Sequence, residues 1–187
     1  MKLNHISIVV VLMGLMLACS KNEVPEGTPV DVPSGTPGSP TELTFTMPEG
    51  WEREAPLSSM RHSQYRLPGE AGDAELAIFV GIGGSVDQNI ERWIGQFSGE
   101  DGGSVRDSAK IQQEQVNGMP VTYLDVSGSF APGMGPMGGS AEPVAGYRML
   151  AAVIETATGP WFLKLTGPEA TVTQWEAGFR EFVNSAQ

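Results

Sequence analysis

From Leu43 onward the chain alternates apolar and polar positions in short runs separated by turn residues, a period of two that predicts β-strands. The runs are Leu43 to Met47, Met60 to Leu67, Glu75 to Ile82, Ala109 to Val116, Val121 to Ser129, Tyr147 to Glu155 and Trp161 to Thr166. Asn117-Gly118 joins the fourth to the fifth and predicts a type I′ hairpin, whose two central residues both need positive φ. The fourth run is polar on both parities, as an edge strand is. Tyr147 to Ile154 is apolar on both parities apart from Arg148, which predicts a central strand covered on both faces.

Two stretches change period to 3.6 residues. Val86, Ile90, Trp93, Ile94 and Phe97 make one helical stripe, with Ser85 and Gln88 spaced as a capping box and Gly99 as the stop. Val172, Trp175, Phe179, Phe182 and Val183 make the second, which Pro168 can open because a first-turn residue needs no N–H. Both stripes are expected to be core. The order of strands and helices predicts an α+β domain in which one mainly antiparallel sheet of about six to seven strands packs against two main helices.

Before Leu43 this periodicity is lost. Ser20 to Glu42 sets Pro25, Pro29, Pro33 and Pro37 at every fourth position with glycines between, so it cannot build a core and is expected to be a semi-rigid tether reaching about 30–70 Å. Ahead of it, Lys2, the apolar run Ile6 to Leu17 and the sequence Leu15-Met16-Leu17-Ala18-Cys19 resemble a bacterial lipoprotein signal, departing from it mildly in having Met16 where Leu is usual. The apolar run falls short of the roughly 20 residues of a bilayer span. The expected organisation is a signal peptide over residues 1–18, a lipidated Cys19 with its tether over 19–42, and a globular domain over 43–187. Ser20 follows the cysteine in place of the acidic residue that resembles an inner-membrane retention signal, so the expected location is the periplasmic face of the outer membrane, with the acyl chains as the sole membrane contact.

Charge narrows the partners. The full chain carries −11 at pH 7, and cleavage before Cys19 removes Lys2 and no acid, so the mature chain is one unit more negative still. Basic residues are scattered along the sequence without a cluster, which argues against nucleic acid, and the net sign opposes anionic lipid headgroups. Cys19 is the only cysteine, so the domain is expected to hold without a disulfide.

No candidate chemistry assembles into a catalytic set. Gly81-Ile82-Gly83-Gly84-Ser85 lies between a strand and a helix, but it lacks the last glycine of a dinucleotide fingerprint and the Lys of a P-loop, and reads as a tight turn. His62 is the only histidine beyond the leader and shares a strand face with Met60 and Gln64, a surface or packing position. Glu49 with Glu52, and Glu100 with Asp101, lie in turns and read as solvated acids. The segment Ala131 to Pro143 is unlike core or ordinary turn. Its Met134 and Met137 are thioethers suited to Cu(I), but two such ligands are few, and the loop reads first as an apolar tip that meets a partner.

The strings "LTFTMPEGWERE" and "GPWFLKLTGPEATVTQWEAGFREFVNS" resemble the first strand with its Pro-x-x-Trp turn, and the last strand and helix, of the PsbP-like family, which includes the extrinsic photosystem II subunit and tethered bacterial lipoproteins. The resemblance implies an α/β/α sandwich and little about chemistry, because the fold serves mostly as a binding or accessory module. The expected function is therefore a non-enzymatic, lipid-anchored envelope module without cofactor or metal, with a small-ligand or Cu carrier as the alternative. Its partner and oligomeric state are not legible in the sequence.

Overall fold

The computed structural model describes residues 42–132 and 142–187. Eight strands occur in this part: β1 (Glu52–Glu54), β2 (Arg61–Leu67), β3 (Ala74–Val80), β4 (Phe97–Ser98), β5 (Lys110–Val116), β6 (Met119–Phe130), β7 (Val144–Thr156) and β8 (Gly159–Pro168). Helix α1 (Val86–Ile94) follows β3, and helix α2 (Glu169–Asn184) follows β8. The strands form one antiparallel sheet in the order β1-β2-β3-β8-β7-β6-β4, with β5 also paired to β6. Among the described residues no helix is long and apolar enough to cross a membrane.

The central strand shows why the sheet needs two layers over it. On β7, Leu150, Ala152 and Ile154 join the cluster containing Val172, Phe179 and Phe182 of α2, while the intervening Met149, Ala151 and Val153 join the one containing Ile90, Trp93 and Ile94 of α1. All three of Phe162, Phe179 and Phe182 are essentially inaccessible, and such burial stabilises by about 2–3 kcal/mol per side chain. The protein is thus an α+β sandwich with a helix on each face of an antiparallel sheet.

The expected caps and edges form. Ser85 accepts from the Gln88 N–H at 3.2 Å and Gln88 Oε1 accepts from the Ser85 N–H at 2.9 Å, which closes the capping box. Asn117 and Gly118 have φ of 47° and 81°, as their hairpin requires. Strand β5 lies on an edge and exposes most of its side chains.

Four expectations are corrected. The sheet has eight strands, because the very short β1 and β4 carry too few residues to show a period. Leu43 to Met47 forms no strand; Thr44 exchanges backbone hydrogen bonds of 3.0 and 3.2 Å with Gln187, and Phe45 stacks on Phe182 at 4.5 Å. Helix α1 stops at a Gly95 cap, so Phe97 belongs to β4, paired with Phe130, although its helical spacing fits the stripe. Gly128 makes that pairing possible, since a Cβ there would come within 2.4 Å of the Ser98 carbonyl oxygen. The fourth correction is His62. The register slips between Arg61 and Ser63, and this bulge sets the His62 ring against Trp161 at 4.9 Å on the α2 face, while Gln64, paired with Ala77, stays on the other face.

Candidate functional site

Helix α1 is short, and it leaves part of its sheet face uncovered over β2, β3 and β8. Two clefts open there, of about 540 and 300 Å³, and Lys164 and Phe79 line both. Lys164 sits in the apolar strand β8 between the buried Leu163 and Leu165, and alternation turns it to the α1 face at its pairing with Ala151.

Two groups hold the ammonium. Its Nζ donates to Gln96 Oε1 at 2.7 Å and lies 5.3 Å from the centre of the Phe130 ring. Among the described residues no carboxylate lies within 4 Å of it. Burial pushes the amine down to about 8; the charge of Glu75 opposes this, and Arg61 and Arg92 add to it. A cation that other cations and an apolar wall discourage from holding its proton has a local demand for an anion.

The larger cleft has an apolar side and a basic one. Phe79 and Ile82, backed by the buried Trp93, form the first, and Arg92 stands with Lys164 on the second. Arg92 is positioned by a buried amide. Asn89, wholly inaccessible, donates to the carbonyls of Ser85 at 2.9 Å and Gly83 at 3.4 Å, and its Oδ1 accepts from the Arg92 guanidinium. Thus the glycine turn, which sequence reasoning set aside as a phosphate site, serves as the scaffold that orients Arg92 and walls the cleft through Gly81 to Gly83. Its φ of 70° at Gly81 and 95° at Gly84 agrees with the tight-turn reading.

The smaller cleft continues under Arg61, which pairs with Glu75 at 2.8 Å and donates to Gln64 Oε1 at 2.6 Å. Thr166 lines it too, and the Thr166 Oγ1 is buried without a hydrogen-bond partner. An unmet hydroxyl costs about 1–3 kcal/mol, so it is an exception that needs a reason.

The opposite face of the sheet differs. There a cleft of about 180 Å³ runs between β5, β6 and α2, and its charged groups are paired. Arg180 lies 3.8 Å over the Tyr123 ring and donates to Gln112 at 3.0 Å and Glu114 at 3.2 Å. Arg148 forms a fork to Asp125 at 2.8 and 3.0 Å and reaches Glu176 at 2.9 Å and Thr173 at 3.0 Å. The hydrogen bonds it donates to Asp125 hold the Arg148 guanidinium more basic than usual.

Cys19, Met134 and Met137 lie outside the described residues. His62 packs at the surface on Trp161, away from the Lys164 clefts. Glu52 does not stand free in a turn: it lies on β1 and pairs with Arg66, which Glu54 and Asp73 also neutralise. Asp101 accepts from the Gly103 N–H at 2.9 Å within an exposed turn. Sequence reasoning missed Lys164, Arg92, Asn89 and Gln96. Two signals carried them: a single lysine inside the run Trp161 to Leu165, and a polar row at Asn89, Arg92 and Gln96 beside the apolar stripe of α1.

No protein-family model and no curated protein matches the chain. Among solved structures it is similar to a Pseudomonas aeruginosa protein of unknown function described as a putative regulator, with 16% identity and a TM-score of 0.45 over 77% of this chain and 95% of that one. It is also similar to the cyanobacterial PsbP (CyanoP) of Synechocystis sp. PCC 6803, with 14% identity and a TM-score of 0.45 over 88% of this chain and 99% of that one. The fold class rests on the sheet order and helix placement described above.

Proposed function

We propose that the chain is a non-enzymatic binding module of PsbP-like type, held at the periplasmic face of the outer membrane by acyl chains on Cys19. The observation that carries the binding part is the Lys164 face: a concave, half-apolar surface that α1 leaves open, furnished with a cation that has no carboxylate within 4 Å among the described residues. The anchoring part rests on the sequence from Leu15 to Cys19. Small-ligand carriage is the second reading, favoured by the size of the larger cleft; the Cu(I) version of it would depend on Met134 and Met137.

Two measurements test the proposal. Cys19→Ala is expected to move the protein from the membrane to the soluble fraction, and membrane retention after a high-salt wash would refute the anchor. A photo-crosslinking residue at Met60, which is 66% exposed on the cleft rim, is expected to give adducts in living cells that Lys164→Met abolishes, whereas one at Ile111 on β5 gives none. Equal labelling from both positions, or none from Met60, would sink the idea of a binding face.

A further inference from the structure

We infer that the larger Lys164 cleft binds a small amphipathic organic acid, its carboxylate seated between Lys164 and Arg92 and its apolar body laid on Phe79 and Ile82. This rests on the reading of the Lys164 face as the binding face and goes beyond it by fixing the ligand's chemistry. Two observations converge on it. The cleft's volume of about 540 Å³ lies within the usual range for small-molecule sites, roughly 300–1,000 Å³, and its walls divide into an apolar side and a basic side. The basic side appears on a chain whose net charge is −11, and among the described residues neither Lys164 nor Arg92 forms an ion pair, whereas Arg61, Arg66, Arg106, Arg148 and Arg180 do.

The second observation is that both cations are set in place before any ligand arrives. Lys164 is held by Gln96 at 2.7 Å, and Arg92 by Asn89, an amide that is itself buried and locked to the Ser85 and Gly83 carbonyls. Fixing donors in advance removes much of the ordering cost of binding. Arg92 keeps further N–H groups beyond the one given to Asn89, since a guanidinium has five.

The apolar wall decides between classes of acid. An inorganic anion would use Lys164 and Arg92 but leave the half-buried Phe79 and Ile82 exposed to water. An aromatic or aliphatic acid covers them, at about 25 cal/mol per Å² of apolar surface removed from water. A cationic ligand is opposed by the local charge, because Arg61 and Arg92 already discourage protonation of Lys164 and only Glu75 favours it.

The test uses the full chain and 4-phenylbutyrate as probe, with 4-phenylbutylamine as the same body of opposite charge and acetate as the head without the body. Titration calorimetry is expected to show one saturable site for 4-phenylbutyrate, with each control weaker by roughly ten-fold or more. Lys164→Met, which keeps the side-chain volume, should weaken the probe by roughly ten-fold, and Arg92→Gln should report the same loss independently. At about pH 8.5 binding should take up a proton from buffer, because a carboxylate beside Lys164 favours its charged form, and Lys164→Met should abolish that uptake. Glu75 on β3, Arg61 on β2 and Arg92 on α1 are the charged groups that act on Lys164. Equal affinity for acid and amine, or an affinity indifferent to both substitutions, would overturn the inference. If Lys164-dependent crosslinks form at Met60 while 4-phenylbutyrate fails to bind, the binding face stands and the organic-acid assignment falls.

Discussion

Arg148 and Lys164 lie on neighbouring strands, β7 and β8, and point to opposite faces of the same sheet. Each places a positive charge largely out of water, at 11% side-chain exposure for Arg148. Around Arg148 the fold supplies Asp125, Glu176 and Thr173, and the guanidinium is more basic than usual as a result. Around Lys164 it supplies an amide, an aromatic ring, two more cations and only the charge of Glu75 in its favour, and burial leaves the amine far less basic than usual. The first environment welcomes the charge and ties β6, β7 and α2 together. The second tolerates it at a cost, and a cost retained beside an open cleft points to a ligand rather than to the core.

The comparison breaks most visibly if Arg148 proves dispensable. Arg148→Met removes the only ion-pair partner seen for Glu176 among the described residues and leaves Asp125 with only the exposed Lys110 at 3.8 Å, and we expect a loss of about 3 kcal/mol in chemical denaturation, at the lower end for a broken buried pair because Glu176 is 45% exposed. A change near zero would mean that this network is decoration.

Lys164→Met should act in the opposite direction and raise stability at pH 7 by about 2 kcal/mol, since it removes a poorly accommodated charge and keeps the volume. The sign follows from proton counting. The amine titrates at about 8 in the folded chain against an ordinary 10.5, so between these values the unfolded chain binds the extra proton and wild-type stability should climb as pH rises. Below pH 8 the whole penalty is present. The variant should lack the climb, and identical slopes for both proteins over pH 8–10.5 would contradict the assignment.

Glu75→Gln sharpens the contrast with a smaller effect. Glu75 favours the charged form of Lys164, so its removal should lower the amine further, read by NMR titration of the lysine side chain. Stability should move by under about 1 kcal/mol, because the Arg61–Glu75 pair is partly exposed, at 39% for Glu75.

Much of the architecture was legible because it depends on local period and turn chemistry. The capping box at Ser85, the hairpin at Asn117-Gly118 and the doubly covered β7 each need only neighbours in sequence. Where pairing is decided by distant residues the reading failed. Phe97 satisfies the helical stripe by spacing but is claimed by Phe130, and Leu43 to Met47 alternates like a strand yet finds Gln187 where a sheet edge would be needed. His62 was set on the wrong face because a bulge adds a residue without any mark in the sequence. The Lys164 site left only a lone lysine in an apolar run and a polar row on α1 as signals, for a related reason: basic residues that look scattered along the chain meet when β2, β8 and α1 come together. The unpaired state of Lys164 is a statement about what surrounds it, and no local pattern records that.

The clasp between Thr44 and Gln187 joins the two ends of the folded domain into one seam, reinforced by the bond of 2.8 Å from Asn117 to the Ala186 carbonyl. Topologically the domain is therefore close to a ring, and the order in which its elements are strung can be separated from the way they pair. A circular permutant that joins residue 187 to residue 42 and opens in the exposed turn at Glu100 to Gly102 would keep every strand partner. It would also cut α1 and its cleft residues away from β5 to β8 in sequence without moving them in space.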